Sequence, residues 1–110
     1  MKGYKIKKDK QLYEAKAKIL KAVAHPTRLW IVDKLSHSTC CVCEFVKEID
    51  ADFSTISKHL SVLKEAGIIV DEKKGKNVLY TLKTPCILRS LDCATNVLKD
   101  QLEEQQKLIK

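Results

Sequence analysis

No apolar run in the 110-residue chain approaches the roughly 20 residues that span a bilayer, and MKGYKIKKDK at its start holds no apolar signal core. A cytoplasmic location is therefore expected. The chain has no CxxC pair, no glycine-rich phosphate loop, and no histidine or carboxylate plainly set against a cysteine. Each absence argues against an enzyme, because a thiol nucleophile needs an adjacent base and a nucleotide needs a backbone cradle. Internal repeats and low-complexity linkers are missing too. Residues 1–110 thus read as one domain, large enough for a modest core.

What the chain does have is positive charge. Lysine and arginine number 21 against 14 acidic residues, a formal net charge of +7. That excess favours a polyanion, DNA or RNA, as partner; the plainer reading is a lysine-rich surface kept for solubility. Five cysteines are also present. An odd number in a reducing compartment does not suggest a disulfide framework, so metal binding or thiol chemistry is the better expectation.

The most informative stretch is DADFSTISKHLSVLKEA, Asp50 to Ala66. At about 100° per residue Ile56, Leu60, Leu63 and Ala66 share one face, and Ser54, Ser57, Lys58, Ser61 and Glu65 the other. The second face is short and polar. It suits a groove of nucleic acid, where hydroxyls and a lysine reach phosphates and base edges, or else it is a solvated surface. Its flanks favour the groove. An apolar segment precedes it, Gly67 stops it, and a basic hairpin follows: strand Ile68–Val70, the turn DEKKGKN from Asp71 to Asn77, and strand Val78–Leu82. Lys73, Lys74 and Lys76 at the tip would grip phosphate.

Upstream, residues 1–10 read as a flexible basic tail. A helix follows from Gln11, with Leu12, Ala15, Ile19, Leu20 and Val23 in register, and His25-Pro26 ends it. A second helix runs from Thr27 to Leu35. Ser36 to Thr39 breaks it, and Cys40–Cys43 opens a short helix reaching about Ile49. Downstream, Thr84-Pro85 starts a terminal helix over 85–110, with Leu88, Leu91, Thr95, Leu98, Leu102 and Ile109 in a roughly seven-residue repeat. That seam needs a cover, either its own first helix alone or that helix together with a second copy of the chain. The fold expected is mainly α with a small β-hairpin: a winged helix-turn-helix, dimeric, with the N- and C-terminal helices at the interface. A two-fold dimer sets two reading helices about one DNA turn apart.

The strings AVAHPTRLWIVDKL (22–35), CVCEF (41–45), FSTISKHLSVLKEAGII (53–69) and KKGKNVLYTL (73–82) resemble the ArsR/SmtB family of metal-responsive winged-helix repressors. The likeness covers about three quarters of the chain. It implies a dimer that binds double-stranded operator DNA when empty and releases it when a metal or metalloid is bound. The groove-reading residues it implies are Ser54, Thr55, Ser57, Lys58 and His59, beside Ser61 and the hairpin lysines. His59, near the apolar border, has packing as its rival role. Trp30 stands where relatives often carry a basic residue. Members sensing zinc through the last helix use histidine and carboxylates there, and no histidine follows His59 in this chain.

Cys41 and Cys43 match the CVC of the arsenic- and cadmium/lead-sensing branches. Several cysteines without nearby histidines point to a soft ligand, arsenic(III) or antimony(III) ahead of cadmium(II) or lead(II), with no ion needed for folding. Residues two apart on an ideal helix point about 200° apart, so binding through both would unwind the start of the short helix and move the reading head. A pyramidal arsenic site needs a third sulfur. Cys86, taken to lie in the first turn of the terminal helix, is preferred; Cys93 is an alternative, with core packing as its rival role, and Cys40 comes last. Cys86 and Cys93 cannot pair directly within one helix, because they lie about 10 Å apart along its axis. Two other functions stay open: a repressor switched by thiol oxidation, and, in another class, a thiol enzyme or metal-trafficking protein without DNA binding.

Overall fold

The computed structural model describes residues 6–109 of the chain. The order is α1 (Ile6–Val23), α2 (Pro26–Leu35), β1 (Cys40–Cys41), α3 (Val42–Glu48), α4 (Phe53–Glu65), β2 (Ile69–Lys74), β3 (Asn77–Leu82) and α5 (Ile87–Ile109). This is the mainly helical winged helix-turn-helix expected. Among the described residues no helix is long and apolar enough to cross a membrane.

Local chemistry sets most boundaries. His25 takes extended angles and its Nδ1 accepts from the Thr27 N–H at 3.1 Å, which caps α2. Pro26 then fills the first helical position, where its missing N–H is no loss, so α2 starts one residue before the expected Thr27. Asp52 caps α4, accepting the Thr55 N–H at 2.8 Å. At the far end Gly67 takes φ +80°, with Gly67 N–H donating to Lys64 O and Ile68 N–H to Leu63 O, both at 3.0 Å. Those paired bonds form a Schellman motif, which favours glycine at its left-handed position. The hairpin closes through Gly75 at φ +62° and Lys76, between paired Lys74 and Asn77.

Four expectations need correction. The hairpin turn is Gly75-Lys76 and not Asp71–Asn77, because residues 71–74 pair with residues 77–80 and lengthen β2. Helix α1 begins at Ile6, so residues 6–10 belong to it; the rest of the expected tail, residues 1–5, lies outside the described residues. Cys40 and Cys41 form a strand rather than opening a helix. They pair antiparallel with β3, Cys40 opposite Tyr80 and Cys41 opposite Leu79, which gives a three-stranded sheet in the order β1-β3-β2. That ladder supplies the backbone partners a helical turn would have supplied. Finally, Cys86 lies ahead of α5 in a tight turn. Its carbonyl accepts from Arg89 N–H at 3.2 Å, and Pro85 O accepts from Leu88 N–H at 3.1 Å.

The core is Ile31, Val32 and Leu35 of α2, Phe45 of α3, Ile56, Leu60 and Leu63 of α4, and Ile68 and Ile69, closed by Ala22, Val23 and Cys40. Trp30 meets Phe45 edge-on with ring centroids 5.9 Å apart, a packing role. The radius of gyration is 17.8 Å, against about 13 Å for a compact domain of this length. The long α1 and α5 account for the excess.

Candidate nucleic-acid interface and thiol site

Amphipathic α4 buries Ile56, Leu60 and Leu63 and leaves Ser54, Thr55, Lys58 and Ser61 exposed. Ser57 is half-buried. The Ser54 hydroxyl donates to Asp52 Oδ1 at 3.3 Å, so the same carboxylate caps the helix and steadies its first turn. Hydrogen bonds from Thr55, with lesser help from Ser54 and Lys58, hold the Asp52 pKa below the ordinary carboxylate value. Lys73, Lys74 and Lys76 are exposed around the wing tip.

His59 behaves differently from its neighbours. It is half-buried, and its ring centroid lies 4.5 Å from that of His25, the cap of α2. Burial first, then His25 and Arg28, lower its pKa. The side chain thus packs against the α1–α2 junction, the rival role open to it from its place in the sequence.

The structure joins two of the four candidate metal-binding cysteines. Cys41 and Cys43 form a disulfide with Cα atoms 5.4 Å apart. The 200° divergence expected on a helix does not arise, because Cys41 has extended angles in β1 while Cys43 lies in the first turn of α3. Both sulfurs therefore meet without unwinding α3. Cys40 is fully buried, with its thiol donating to Ser38 O at 3.4 Å, and burial raises its pKa.

Cys86 and Cys93 are exposed and free. Cys86 lines a cavity of about 470 Å³ beside Ile19, Leu20 and Ile68, whereas Cys41 and Cys43 line a different cleft against the wing. Among the described residues no group of three or more His, Cys, Asp or Glu side chains is placed to hold a metal ion. The trio Cys41, Cys43 and Cys86 is not assembled within one protomer. Strand pairing ties Cys41 to β3 and the disulfide ties Cys43 to Cys41, while the Thr84-Pro85 turn carries Cys86 toward α1.

The cleft beside the disulfide, about 270 Å³, joins the two chemistries. Ser57 of α4 and Lys76 of the wing line it together with Cys41 and Cys43. Phe53, at the first position of α4 and 63% exposed, lines it as well. Sequence reasoning gave Phe53 no role. The available signal was an aromatic directly after a capping aspartate, in register with Ile56, Leu60 and Leu63 but at the first position of the helix.

The profile described as bacterial regulatory protein, arsR family, matches residues 25–70, from the cap of α2 into β2. The cadmium resistance transcriptional regulatory protein CadC of Listeria innocua is 36% identical over 83 residues, covering 74% of this chain and 70% of CadC. The chain belongs to the ArsR/SmtB family. The HTH-type transcriptional repressor SmtB of Mycobacterium tuberculosis is 37% identical over 73 residues, 66% of this ArsR/SmtB chain and 54% of SmtB. The chain thus spans about half the length of that repressor. A solution structure of a homodimeric winged helix-turn-helix DNA-binding domain from Mycobacterium bovis superposes with a TM-score of 0.75 at 25% identity, covering 94% of this chain and 95% of that one. These relatives of the ArsR/SmtB chain are regulators and not enzymes.

Proposed function

We propose that this chain is a homodimeric transcriptional repressor, bound to operator DNA through α4 and the wing and released when a soft metal or metalloid of the arsenite type binds Cys41 and Cys43. One observation carries the reading: Ser57 and Lys76, both candidate DNA contacts, wall the same cleft as the two cysteines. A ligand on the sulfurs acts where the reading head is supported. If it favours a conformation that binds DNA poorly, DNA must disfavour the ligand to the same degree. Arsenic(III) and antimony(III) suit the thiolates best, with cadmium(II) and lead(II) as other soft candidates. Cys86 and Cys93 belong to the site only if a second subunit brings them to it.

Ser54, Thr55, Ser57, Lys58 and Ser61 would face the groove while Lys73, Lys74 and Lys76 hold phosphate. The exposed apolar side chains of α1 and α5, together with the homodimeric relative, support the dimer.

The test uses phosphine-reduced protein and a duplex that it selects from a random library. Arsenite should release the duplex, and Cys43→Ser should keep DNA binding while losing that release. Unchanged release in the variant would place the site elsewhere. The disulfide favours a second reading, a repressor switched by oxidation of the same pair. Release by peroxide with none by arsenite would select it.

A further inference from the structure

The apolar column of α4 outruns the core. Ile56 and Leu60 on that column are fully buried, whereas Phe53, one turn nearer the N-terminus on the same side, is 63% exposed. Single apolar side chains on a surface are ordinary, but this one is placed unlike the others. Outside α1 and α5, the exposed large hydrophobics among the described residues are Phe53, Val62 and Val70, and Phe53 is the largest and most exposed of the three. It holds the first position of α4, directly after the capping Asp52 and beside the exposed Ser54 and Thr55. Lys76 of the wing and Ser57 line the same cleft of about 270 Å³. A phenyl ring therefore stands between the hydroxyls of α4 and a lysine of the wing.

A helix laid in the major groove meets base edges with its N-terminal residues, and Phe53 is the first residue of α4. A phenyl ring forms no strong hydrogen bond, so a phosphate or a polar base edge pressed against it would lose water without a replacement partner. The apolar group that the unmodified major groove offers is the C5-methyl of thymine. We infer that Phe53 determines sequence specificity by packing on the C5-methyl of one thymine in each half-site. This rests on the reading of α4 as the helix that enters operator DNA. The division of labour follows from side-chain chemistry. Lys58 and Lys76 hold phosphate whatever the sequence, while Phe53 selects a pyrimidine that carries a methyl group over one that does not. Its exposure in the free protein is what such a contact requires, since the ring is covered only when the duplex arrives.

The experiment uses the full chain, phosphine-reduced, and a duplex that it selects from a random library. Each thymine in turn is replaced by deoxyuridine, which removes the methyl group and leaves the base-pairing edge unchanged. One position per half-site should lose about fourfold in affinity, as burial of a single methyl group allows. Phe53→Ala should bind the thymine and deoxyuridine duplexes equally, so that the two changes are fully coupled. Phe53→Leu, which keeps an apolar tip, should retain most of the difference. A chain with Phe53 in place that is indifferent to every thymine methyl would overturn the inference, and that result needs no variant. A methyl effect that persists at full size in Phe53→Ala would overturn it too. In both cases selective binding of the duplex would leave the repressor reading standing. Enrichment of no duplex at all would instead overturn that reading, and the inference with it.

Discussion

Helices α2 to α4 with the wing, and the two terminal helices, solve opposite problems. The first region buries what it has. Ten of the twelve core residues lie between Ile31 and Ile69, α2 and α4 each have a side-chain cap, and Lys64 ties α4 to β2 through Asp71 at 2.9 Å. The terminal helices do not. Among the described residues, helix α5 contributes nothing to the fully buried core and α1 only Ala22 and Val23 at its end. Leu12 and Leu20 on α1, and Val97, Leu98 and Leu102 on α5, are each more than half exposed. Apolar side chains at helical spacing with no cover within the protomer mark an association face. The contrast separates a self-sufficient head from arms that, in the proposed dimer, a second copy would complete.

The strongest way to break that contrast is to charge an arm. Leu98→Lys with Leu102→Lys should leave the fold of the head intact by circular dichroism while sedimentation shows a monomer. Affinity for the selected duplex should fall about a hundredfold or more, because the second half-site no longer binds as part of the same molecule. A dimer that survives both lysines would mean the arms are covered in some other way. Lysines on the head should matter less. Lys58→Ala or Lys76→Ala should weaken binding similarly on specific and nonspecific duplexes, lower the salt slope by about one unit each, and leave the dimer intact. A change confined to one base position would instead assign base reading to that lysine.

How much of this was legible beforehand follows the same division. The buried face of α4, its stop at Gly67, the hairpin and the break at His25-Pro26 all come from local periodicity and turn chemistry, which a single chain displays. Helix α5 was legible as a seam needing a cover, because its apolar spacing is local too. Cys40 and Cys41 were misread because a two-residue strand is fixed by its partner, β3, some 40 residues away. The same long-range pairing brings the sulfurs of Cys41 and Cys43 together, where helical geometry would point them apart. Cys86 was assigned to the last helix from Thr84-Pro85, yet backbone bonds at i, i+3 spacing hold it in a turn before α5. The cleft uniting Cys41, Cys43, Ser57 and Lys76 was out of reach of sequence pattern, since β1, α3, α4 and the wing together build it.

Smaller effects probe how rigid the head is. Asp52→Ala removes the α4 cap and should lower the melting temperature by a few degrees, with a parallel loss of DNA affinity because the first turn carries Ser54 and Thr55. Asp52→Asn, which keeps an accepting oxygen, should recover most of the stability. An Asp52→Ala protein that melts like the parent would show that packing of Ile56 and Leu60, and not the cap, fixes this end of α4.

The smallest predicted effect lies at the seam between head and arm, where His59 of α4 meets His25 at the α1–α2 junction. Burial, His25 and Arg28 depress the His59 pKa below its ordinary 6.5. The unfolded chain therefore takes up this proton at a higher pH than the folded one. The stability associated with neutral His59 is fully present above pH 6.5 and is lost as pH falls from there through the lower folded value. Urea midpoints measured at pH 7.5 and 5.5 should show a lower value at the acid end, and His59→Gln should flatten that dependence, whatever its effect on absolute stability. A slope that persists unchanged in His59→Gln would mean that another group on this seam takes up the proton. The two-histidine contact would then be packing alone, without a role in joining α4 to the end of α1.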